Sequence, residues 1–239
     1  MKKEPLCMTF DMNTIQHLGI SMYSKLPPVL GELVANAWDA DGTEVTISLN
    51  DSDGDNKSII IEDDGNGMDW DEINDKFLVI GRNRRVVDHS DETPGGRKVI
   101  GRKGIGKLSI FGIADEITIS TIKNMKKNTF TMILSEIKRH KSEYHPTHSE
   151  QDVTVDGKGT KIILKNLKRK SRFYPREIAL DLAKRFMIFD EEFKAKIIHN
   201  ENDPIQVSND LRFENVIKEF TWKFPNEDLP SGYSHRVDI

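Results

Sequence analysis

The sequence predicts an α+β fold in which an antiparallel hairpin follows a buried helix. Residues 30–40 place apolar side chains on most sides of a helix, and Pro27-Pro28 suits its first turn, where proline's missing N–H is not needed. Alternating apolar residues predict strands over 45–49 and 57–62. The two strands follow each other without a crossover helix, so the βαβ unit of a parallel sheet is not expected here.

The composition is that of a globular chain without membrane segments. Of its 239 residues, 36% are hydrophobic and 31% are charged, and the net charge of −4 gives no overall basic field for nucleic acid. Neither a signal-peptide pattern nor an apolar run of about 18 residues is recognised in the sequence. The single cysteine, Cys7, cannot form an internal disulfide, which favours a structural role in a reducing compartment. We therefore expect a cytoplasmic protein that binds no membrane.

The rest of the chain predicts further strands and helices around one long polar stretch. These elements are a strand over 6–10, helices over 13–21, 69–79, 104–114 and 175–189, strands over 115–122, 128–137, 159–165 and 193–199, and a helix followed by a strand over 211–224. A polar turn over 123–127 is expected between the two longest strands.

Three polar residues share one stripe of the first apolar helix. Glu32, Asn36 and Asp39 are spaced by four and three residues, which places them on the same helix face. Buried carboxylates are costly unless something compensates them, and a divalent metal with an anionic ligand would do so. Mg²⁺ takes oxygen ligands from one or two protein groups together with phosphates. Ordinary solvated residues on a helix surface remain the alternative.

Two glycine-containing stretches extend this pattern. The strand that ends at Asp63 runs into Gly65, Gly67 and Met68. The Asp63 carboxylate can accept a hydrogen bond from the exocyclic amine of adenine, while the glycines leave room for a flat ring. Residues 101–109 form a glycine-rich loop before a helix, where backbone N–H groups can approach phosphates. The loop lacks the spacing of a P-loop and lies outside any βαβ unit, which argues against those two nucleotide folds.

In this order, the stretches resemble the GHKL superfamily of ATPases, which includes gyrase, the ninety-kilodalton heat-shock chaperones, histidine kinases and MutL. The matching motifs are the N motif Glu32-x-x-x-Asn36, the motif Asp63-x-Gly65-x-Gly67, the second glycine motif 101–109 and the Gly-Thr strand 157–164. The resemblance covers about residues 10–200. It implies a two-layer α/β sandwich of the Bergerat type, with a mostly antiparallel sheet, helices on one face, and binding of ATP with Mg²⁺.

The resemblance also implies a role for each motif residue. Glu32 would orient or deprotonate the attacking water, and Asn36 would bind Mg²⁺ through its amide oxygen. Asp63 would read adenine, with Thr160 sharing a nearby water. The other nucleotide-binding residues that it implies are Asp39, Gly65, Gly67, Met68, Gly101, Arg102, Lys103, Gly104, Ile105, Gly106 and Lys107. Glu32 favours the hydrolysing members over histidine kinases, and the helix ending is closer to MutL and its MORC-type relatives.

Residues 81–100 form a polar stretch without periodicity between the two glycine motifs. Its length and position predict a mobile lid, since the corresponding segment of the resembled family folds over the bound phosphates. We expect Arg82, Arg84, Arg97 and Lys98 to gain contacts to phosphate when nucleotide binds. A disordered surface loop without this role is the alternative.

The motifs together predict a GHKL-type ATP-binding domain over residues 1–205, followed over 206–239 by an extension or the start of a second domain. We expect slow Mg²⁺-dependent ATP hydrolysis, lid closure and self-dimerisation in the ATP state. The module would be the N-terminal motor or switch of a larger protein with a DNA or protein client. MutL and gyrase use a lysine from a second domain, for which too few residues follow here. The alternatives are a histidine-kinase catalytic domain and a nucleotide-dependent binder without turnover.

A histidine-containing run over 139–151 raises the question of a metal site. It holds His140, His145 and His148, but it is predicted to be a loop interrupted by Pro146. No cysteine or paired carboxylate stands at ligand spacing from these histidines. A metal site is therefore not expected in this run.

Overall fold

The computed structural model describes residues 5–9, 25–52, 54, 56–79, 91–101, 109–140, 143–154 and 157–214. The α-helices are α1 Leu26–Asp39, α2 Trp70–Glu72, α3 Leu134–Ile137 and α4 Pro175–Arg185. The strands are β1 Met8–Thr9, β2 Glu44–Asn50, β3 Ser58–Asp63, β4 Ala114–Lys123, β5 Lys126–Ile133, β6 Glu143–Tyr144, β7 Thr147–Asp152, β8 Gly159–Leu167, β9 Lys194–His199 and β10 Ile205–Val207. A π-helix, Ile73–Phe77, continues α2, and 3₁₀ turns span Ile110–Gly112 and Asn209–Phe213.

One large sheet organises the chain. Its strand order is β10-β9-β2-β3-β8-β4-β5-β7, and every neighbouring pair is antiparallel except β2 and β9, which run parallel. The predicted hairpin of β2 and β3 lies inside this sheet. β1 and β6 pair separately as a two-stranded antiparallel sheet. The α+β class and the mostly antiparallel sheet are therefore confirmed.

The hydrophobic core lies against one face of the large sheet. Strand residues alternate between buried and half-exposed side chains, because successive residues point to opposite faces. One row of directly paired buried residues crosses six strands: Ile197, Ile47, Ile61, Ile162, Ile119 and Phe130. α1 packs against β2, α4 packs against β9 and β10, and the two helices contact each other. This arrangement is the predicted two-layer sandwich.

α1 begins and ends where its sequence signals lie. Pro27 and Pro28 occupy the first turn and lose no intrahelical hydrogen bond there. Leu30, Val34 and most other apolar residues of α1 are buried, and the helix packs against β2 and α4. After the helix, Asp41 adopts a left-handed φ of 56°, which turns the chain toward β2.

A two-residue turn joins β4 and β5, where a five-residue turn over 123–127 was predicted. Asn124 and Met125 both have left-handed φ values, 51° and 57°, which suit a tight hairpin turn. A left-handed methionine is uncommon, so the sequence indicated a turn here but not its two-residue length. The predicted strand over 128–137 is also wrong at its end, because residues 134–137 form α3.

The predicted loop over 139–151 instead contains β6 and β7. β7 lies at the edge of the large sheet, and all of its residues are polar. A polar edge strand has no hydrophobic alternation, so periodicity could not reveal it. β10 was missed as well, because three residues are too short for a periodic signal.

Two predicted helices differ from expectation in form or length. The helix predicted over 69–79 is α2 with its π-helical continuation, and it begins at a capping box in which Asp69 and Glu72 each accept the other's backbone N–H. Of the helix predicted over 104–114, residues 104–108 lie outside the described residues, Ile110–Gly112 form a 3₁₀ turn, and Ala114 already begins β4. Burial of Ala114 beside Leu167 favours the strand over another helical turn.

The remaining predictions fall at the margins of the described ranges. The helix predicted over 175–189 ends at Arg185, because Phe186 is already extended. The predicted helix over 13–21 and the part of 211–224 beyond residue 214 lie outside the described residues. The domain boundary after residue 205 stays a prediction. Within the ranges that the structure describes, no helix has the length and apolar character needed to cross a bilayer.

Candidate functional site

The end of β3 and the start of β8 bring the first two site residues together. Asp63 pairs directly with Thr160 in the antiparallel ladder. Gly159 precedes Thr160 with a φ of 126°, and a Cβ at Gly159 would lie 2.2 Å from the carbonyl oxygen of Asp63. Only glycine permits this approach. The Gly-Thr strand is thus fixed against Asp63 by backbone geometry.

The loop after Asp63 crosses the end of β4. Gly67 has a left-handed φ of 63°, and a Cβ at Gly67 would lie 2.0 Å from the carbonyl oxygen of Ile122. The next backbone N–H, that of Met68, donates to Oγ1 of Thr121 at 2.8 Å. Oγ1 of Thr121 in turn lies 3.2 Å from Oγ1 of Thr160. These contacts connect the Asp-x-Gly-x-Gly loop to the Gly-Thr strand.

Thr121 also lies in the candidate site, although the sequence motifs did not indicate it. It is fully buried in β4, at an inward position that continues the buried pair Ile117 and Ile119. A threonine at the third inward position of an otherwise aliphatic strand was the available signal, because buried hydroxyls require partners. Here the partners are the Met68 N–H, the Gly159 carbonyl oxygen and the Thr160 hydroxyl group.

The three consecutive acids at the end of β3 have separate environments. Glu62 forms a surface ion pair with Lys161 at 3.0 Å. Asp64 accepts hydrogen bonds from the backbone N–H groups of Thr43 and Glu44, at 2.6 and 2.9 Å. Burial alone would raise the pKa of Asp64, but a hydrogen bond from the Thr43 hydroxyl, together with these backbone bonds, lowers it below its ordinary value.

Asp63 lies between these two acids, and its carboxyl group is the perturbed one. Burial raises the pKa of Asp63 to about 6, although hydrogen bonds from the Gly65 and Thr160 backbone oppose the rise and Asp64 adds to it. The Gly65 N–H donates to Oδ1 of Asp63 at 3.0 Å. A carboxylate that is desolvated but still mostly ionised at neutral pH is a strong acceptor for a ligand N–H group.

The same loop is attached to the end of α1. A Cβ at Gly65 would lie 2.7 Å from the Cβ of Ala40, and the Asn66 N–H donates to the Ala40 carbonyl at 2.7 Å. An α-helix rises about 1.5 Å per residue, so Glu32 lies roughly 12 Å along α1 from this attachment. A ligand bound beside Asp63 could therefore extend along α1 toward Glu32.

The polar stripe of α1 is only partly buried. Glu32 is half-buried, Asn36 is exposed, and Asp39 is buried with 8% of its surface accessible. Burial raises the pKa of Glu32, Asp39 raises it further, and Arg185 lowers it. A raised pKa makes the Glu32 carboxylate a stronger base, while the exposed Asn36 amide oxygen is accessible to a hydrated cation.

Asp39 holds the entrance of the second glycine motif. Its two carboxylate oxygens accept the backbone N–H groups of Ile100 and Gly101, at 2.8 and 3.0 Å. A Cβ at Gly101 would lie 2.7 Å from Oδ2 of Asp39, so glycine is required for this approach. Asp39 and Gly101, both predicted to contact nucleotide, are thus brought together and bonded to each other.

Asp41 makes a similar attachment to the preceding turn. Its carboxylate accepts the Gly95 N–H at 3.0 Å, the Thr93 hydroxyl, and the Asn66 side-chain amide at 3.0 Å. A Cβ at Gly95 would lie 2.7 Å from Oδ1 of Asp41. We call Asp39 and Asp41, with the segment 91–101 that they hold, the aspartate clasp.

A tryptophan and an arginine complete the clasp. Trp38 donates its indole N–H to the Lys98 carbonyl at 2.9 Å. The Arg97 guanidinium lies 4.7 Å from the Trp38 ring centroid and donates to the carbonyls of Gly42 and Glu192. Arg97, predicted to contact phosphate, therefore already has protein partners.

Several predicted site residues lie outside the described residues. They are Arg82 and Arg84 of the lid, and Arg102, Lys103, Gly104, Ile105, Gly106 and Lys107 of the second glycine motif. The stretch 81–100 that was predicted to be a lid therefore has two parts. Residues 81–90 lie outside the described residues, and the part from residue 91 onward is attached to α1 by the clasp.

Comparison with known families gives a match over most of this site. A family model described as "Histidine kinase-, DNA gyrase B-, and HSP90-like ATPase" matches residues 23–161. This range includes Glu32, Asn36, Asp63 and the clasp, and it ends just after Thr160. The resemblance to the GHKL superfamily predicted from the motifs is thereby confirmed.

Two individual proteins are similar to this chain over most of its length. The chain is 37% identical over 224 residues to "Putative type II restriction enzyme HgiDII" of Herpetosiphon aurantiacus, covering 92% of this chain and 35% of the relative. It is 28% identical over 183 residues to the chaperone protein HtpG of Fusobacterium nucleatum, covering 69% of this chain and 29% of the relative. The chain thus spans about a third of the length of these relatives. The predicted nearness to MutL and MORC proteins stays a prediction.

Proposed function

Because the chain belongs to the family of histidine kinase-, DNA gyrase B- and HSP90-like ATPases, we propose that it binds Mg·ATP and hydrolyses it slowly. The observation that carries the proposal is the convergence of three separate motifs. Asp63, Thr160 and the end of α1 meet at one place, and α1 extends from there to Glu32. A motif match without this convergence would support the family alone.

Asp63 recognises adenine in this proposal. Its desolvated carboxylate accepts the exocyclic N–H of the base, while the half-buried Met68 side chain supplies an apolar wall for the ring. Thr160 and the buried Thr121 supply hydroxyl groups for a bridging water.

Glu32 is the general base. Its carboxylate accepts a proton from a water molecule as the water oxygen attacks the terminal phosphorus. The bond from that phosphorus to the bridging oxygen breaks, giving ADP and phosphate. When bound, Mg²⁺ neutralises charge on the phosphates, and the accessible amide oxygen of Asn36 would be its protein ligand.

The chain acts within a longer protein in this account. It spans about a third of the length of its relatives, so lid closure and ATP-driven self-association of this module would be transmitted to other parts. We favour a DNA client over a protein client, because the match to the relative named as a restriction enzyme has higher identity and coverage than the match to HtpG. Stimulation of ATP turnover by duplex DNA, but not by unfolded polypeptide, would support this choice.

Steady-state phosphate release tests the proposed hydrolysis. Glu32→Gln should lower turnover by about 10²- to 10⁴-fold, because a general base contributes that much to the rate. ATP affinity should stay nearly unchanged, since Glu32 contacts the nucleophile rather than the nucleotide. Glu177→Gln, which alters an exposed acid in the first turn of α4, is the matched control.

The assay separates hydrolysis from simple binding. It is best run at high protein concentration, where self-association would raise turnover per chain. Turnover of Glu32→Gln equal to that of Glu177→Gln would contradict the role of Glu32. ATP binding without phosphate release in either chain would favour a nucleotide-dependent binding module.

A further inference from the structure

The small sheet of β1 and β6 places three metal-ligating residues on one face. Met8 pairs with Tyr144 in this antiparallel sheet, and both are buried in the core. Because side chains alternate between faces, Cys7, Glu143 and His145 point to the opposite side. Continuing the pairing by one step places Cys7 directly across from His145, with Glu143 at the adjacent diagonal position.

The three side chains are close enough to share one cation. One ligand atom from each of Cys7, Glu143 and His145 lies within 4.8 Å of the other two. A zinc ion at about 2.0–2.3 Å from its ligands requires separations below roughly 4.6 Å. Glu143 and His145 are exposed, so a small rotation of either side chain closes the difference.

The orientation of His145 supports metal binding. Its Nδ1 lies 2.7 Å from the carbonyl oxygen of Leu6. A carbonyl oxygen can only accept a hydrogen bond, so Nδ1 carries the proton and Nε2 keeps its lone pair. A histidine ligand characteristically donates its other ring N–H to a backbone carbonyl, which fixes the tautomer and the ring orientation.

We propose that Cys7, Glu143 and His145 bind a zinc-class divalent cation, with water in the fourth position. Sulfur and imidazole ligands select zinc over magnesium, so this site differs in chemistry from the proposed Mg·ATP site. On binding, the Cys7 thiol loses its proton to solvent and its sulfur donates an electron pair to the cation. The ion would then fasten β1 to β6.

This proposal departs from the expectation that the histidine-containing run holds no metal site. No cysteine stands at local spacing from the histidines, whereas the fold brings Cys7 to them from a distant part of the sequence. The pairing of β1 with β6 supplies that contact. Local motif spacing could not contain it.

Thiol reactivity gives a direct test, because Cys7 is the sole cysteine of the chain. The full chain is freed of metal with a chelator, and its reaction with a thiol-specific disulfide reagent is followed with and without Zn²⁺. We expect Zn²⁺ to slow the reaction at least tenfold. Co²⁺ should give a near-ultraviolet thiolate charge-transfer band.

Variants that retain the reporter thiol identify the other ligands. Glu143→Gln and His145→Ala should each weaken Zn²⁺ protection by at least about tenfold, since even residues that only support a ligand cost 10- to 100-fold. His140→Ala, a nearby exposed histidine outside the group, should protect as the parent does. Glu143→Gln nearly preserves side-chain size, so its result does not depend on a folding defect.

Two results would overturn the proposal. One is a Cys7 reaction rate that Zn²⁺ leaves unchanged in the parent chain. The other is equal protection in the parent, Glu143→Gln and His145→Ala chains, which would show that neither residue is a ligand.

Discussion

The two ends of the candidate site, which we call the base end and the phosphate end after the parts of ATP that we propose they bind, are held in place by different kinds of contact. At the base end, strand pairing and close backbone approaches position Asp63, Gly67 and Thr160. At the phosphate end, the aspartate clasp holds segment 91–101 through hydrogen bonds from backbone N–H groups to carboxylates. The base end therefore depends on the fold of the sheet, and the phosphate end depends on a few side chains.

This difference suggests how the two ends respond to nucleotide. A strand ladder exchanges its partners only when the sheet opens. The Gly101 N–H, in contrast, is bonded to the anionic group of Asp39, and a phosphate oxygen is an acceptor of the same kind. We interpret the base end as preformed and the clasp as the part that a phosphate can rearrange.

The largest expected effect comes from adding a methyl group at the base end. Gly67→Ala should lower the free energy of unfolding by about 3–5 kcal/mol, because its Cβ would lie 2.0 Å from the Ile122 carbonyl oxygen at a left-handed φ. Gly96 is the matched control at the phosphate end, since its φ is 84° and no atom lies within 4 Å of an added Cβ. Gly96→Ala should cost only about 1–2 kcal/mol.

Urea unfolding of both variants measures the difference. Equal losses of stability in Gly67→Ala and Gly96→Ala would show that the close approach at the base end has no energetic weight, and the contrast between the two ends would fail.

A smaller effect is expected when one carboxylate of the clasp is altered. Asp39→Asn keeps one acceptor oxygen but turns an amide N–H₂ toward a backbone N–H, so the free energy of unfolding should fall by about 1–3 kcal/mol. Limited proteolysis should show faster cleavage within 91–101. The control is Asp71→Asn, an exposed acid of α2.

Cleavage of Asp39→Asn at the parent rate would mean that segment 91–101 does not depend on Asp39. The parent chain offers a further comparison, because a non-hydrolysable ATP analogue should slow cleavage over residues 81–90 if that part of the predicted lid closes.

The smallest expected effect is a pH-dependent gain of stability at the base end. Because burial raises the folded-state pKa of Asp63 to about 6, its protonated form favours folding below about pH 4, and this contribution is lost as the pH rises through 6. Asp63→Asn does not ionise, so it should exceed the parent in stability by about 1–2 kcal/mol at pH 7, after allowance for partial exposure.

The gain should disappear below about pH 4, where the parent carboxyl is protonated in both states. Thermal or urea unfolding at pH 4 and pH 7 measures it. A difference that is the same at both pH values would contradict the raised pKa.

The parts of the fold that the sequence predicted are those in which local pattern and tertiary packing agree. α1 and the β2–β3 hairpin were predictable, since Pro27-Pro28, the aliphatic alternation and the turn residues all act locally. β7 was not predictable, because a polar edge strand is defined by its hydrogen bonds to β5. The turn between β4 and β5 was predicted, but its two-residue length was not, because a left-handed methionine has no sequence signal.

At the candidate site, the sequence indicated side chains suited to binding ATP, but it did not indicate all of the hydrogen bonds that these side chains make within the protein. Glu32, Asn36 and Asp63 were selected because their side chains suit ATP chemistry, and those roles stay predictions. The clasp could not be foreseen, because Asp39 accepts backbone N–H groups, which every residue except proline possesses. Thr121 was missed because strand alternation assigned its position to the core.

Calorimetric titration with Mg·ATP tests the central claim most directly, because every further step depends on recognition of adenine by Asp63. The parent chain should bind ATP, and Asp63→Ala should weaken binding by about 2–3 kcal/mol, or roughly 30- to 150-fold, through loss of the acceptor for the adenine amine. Glu62→Gln, which alters only the exposed partner of Lys161, should bind as the parent does. A parent chain that does not bind Mg·ATP, or an Asp63→Ala variant with parental affinity, would contradict the account.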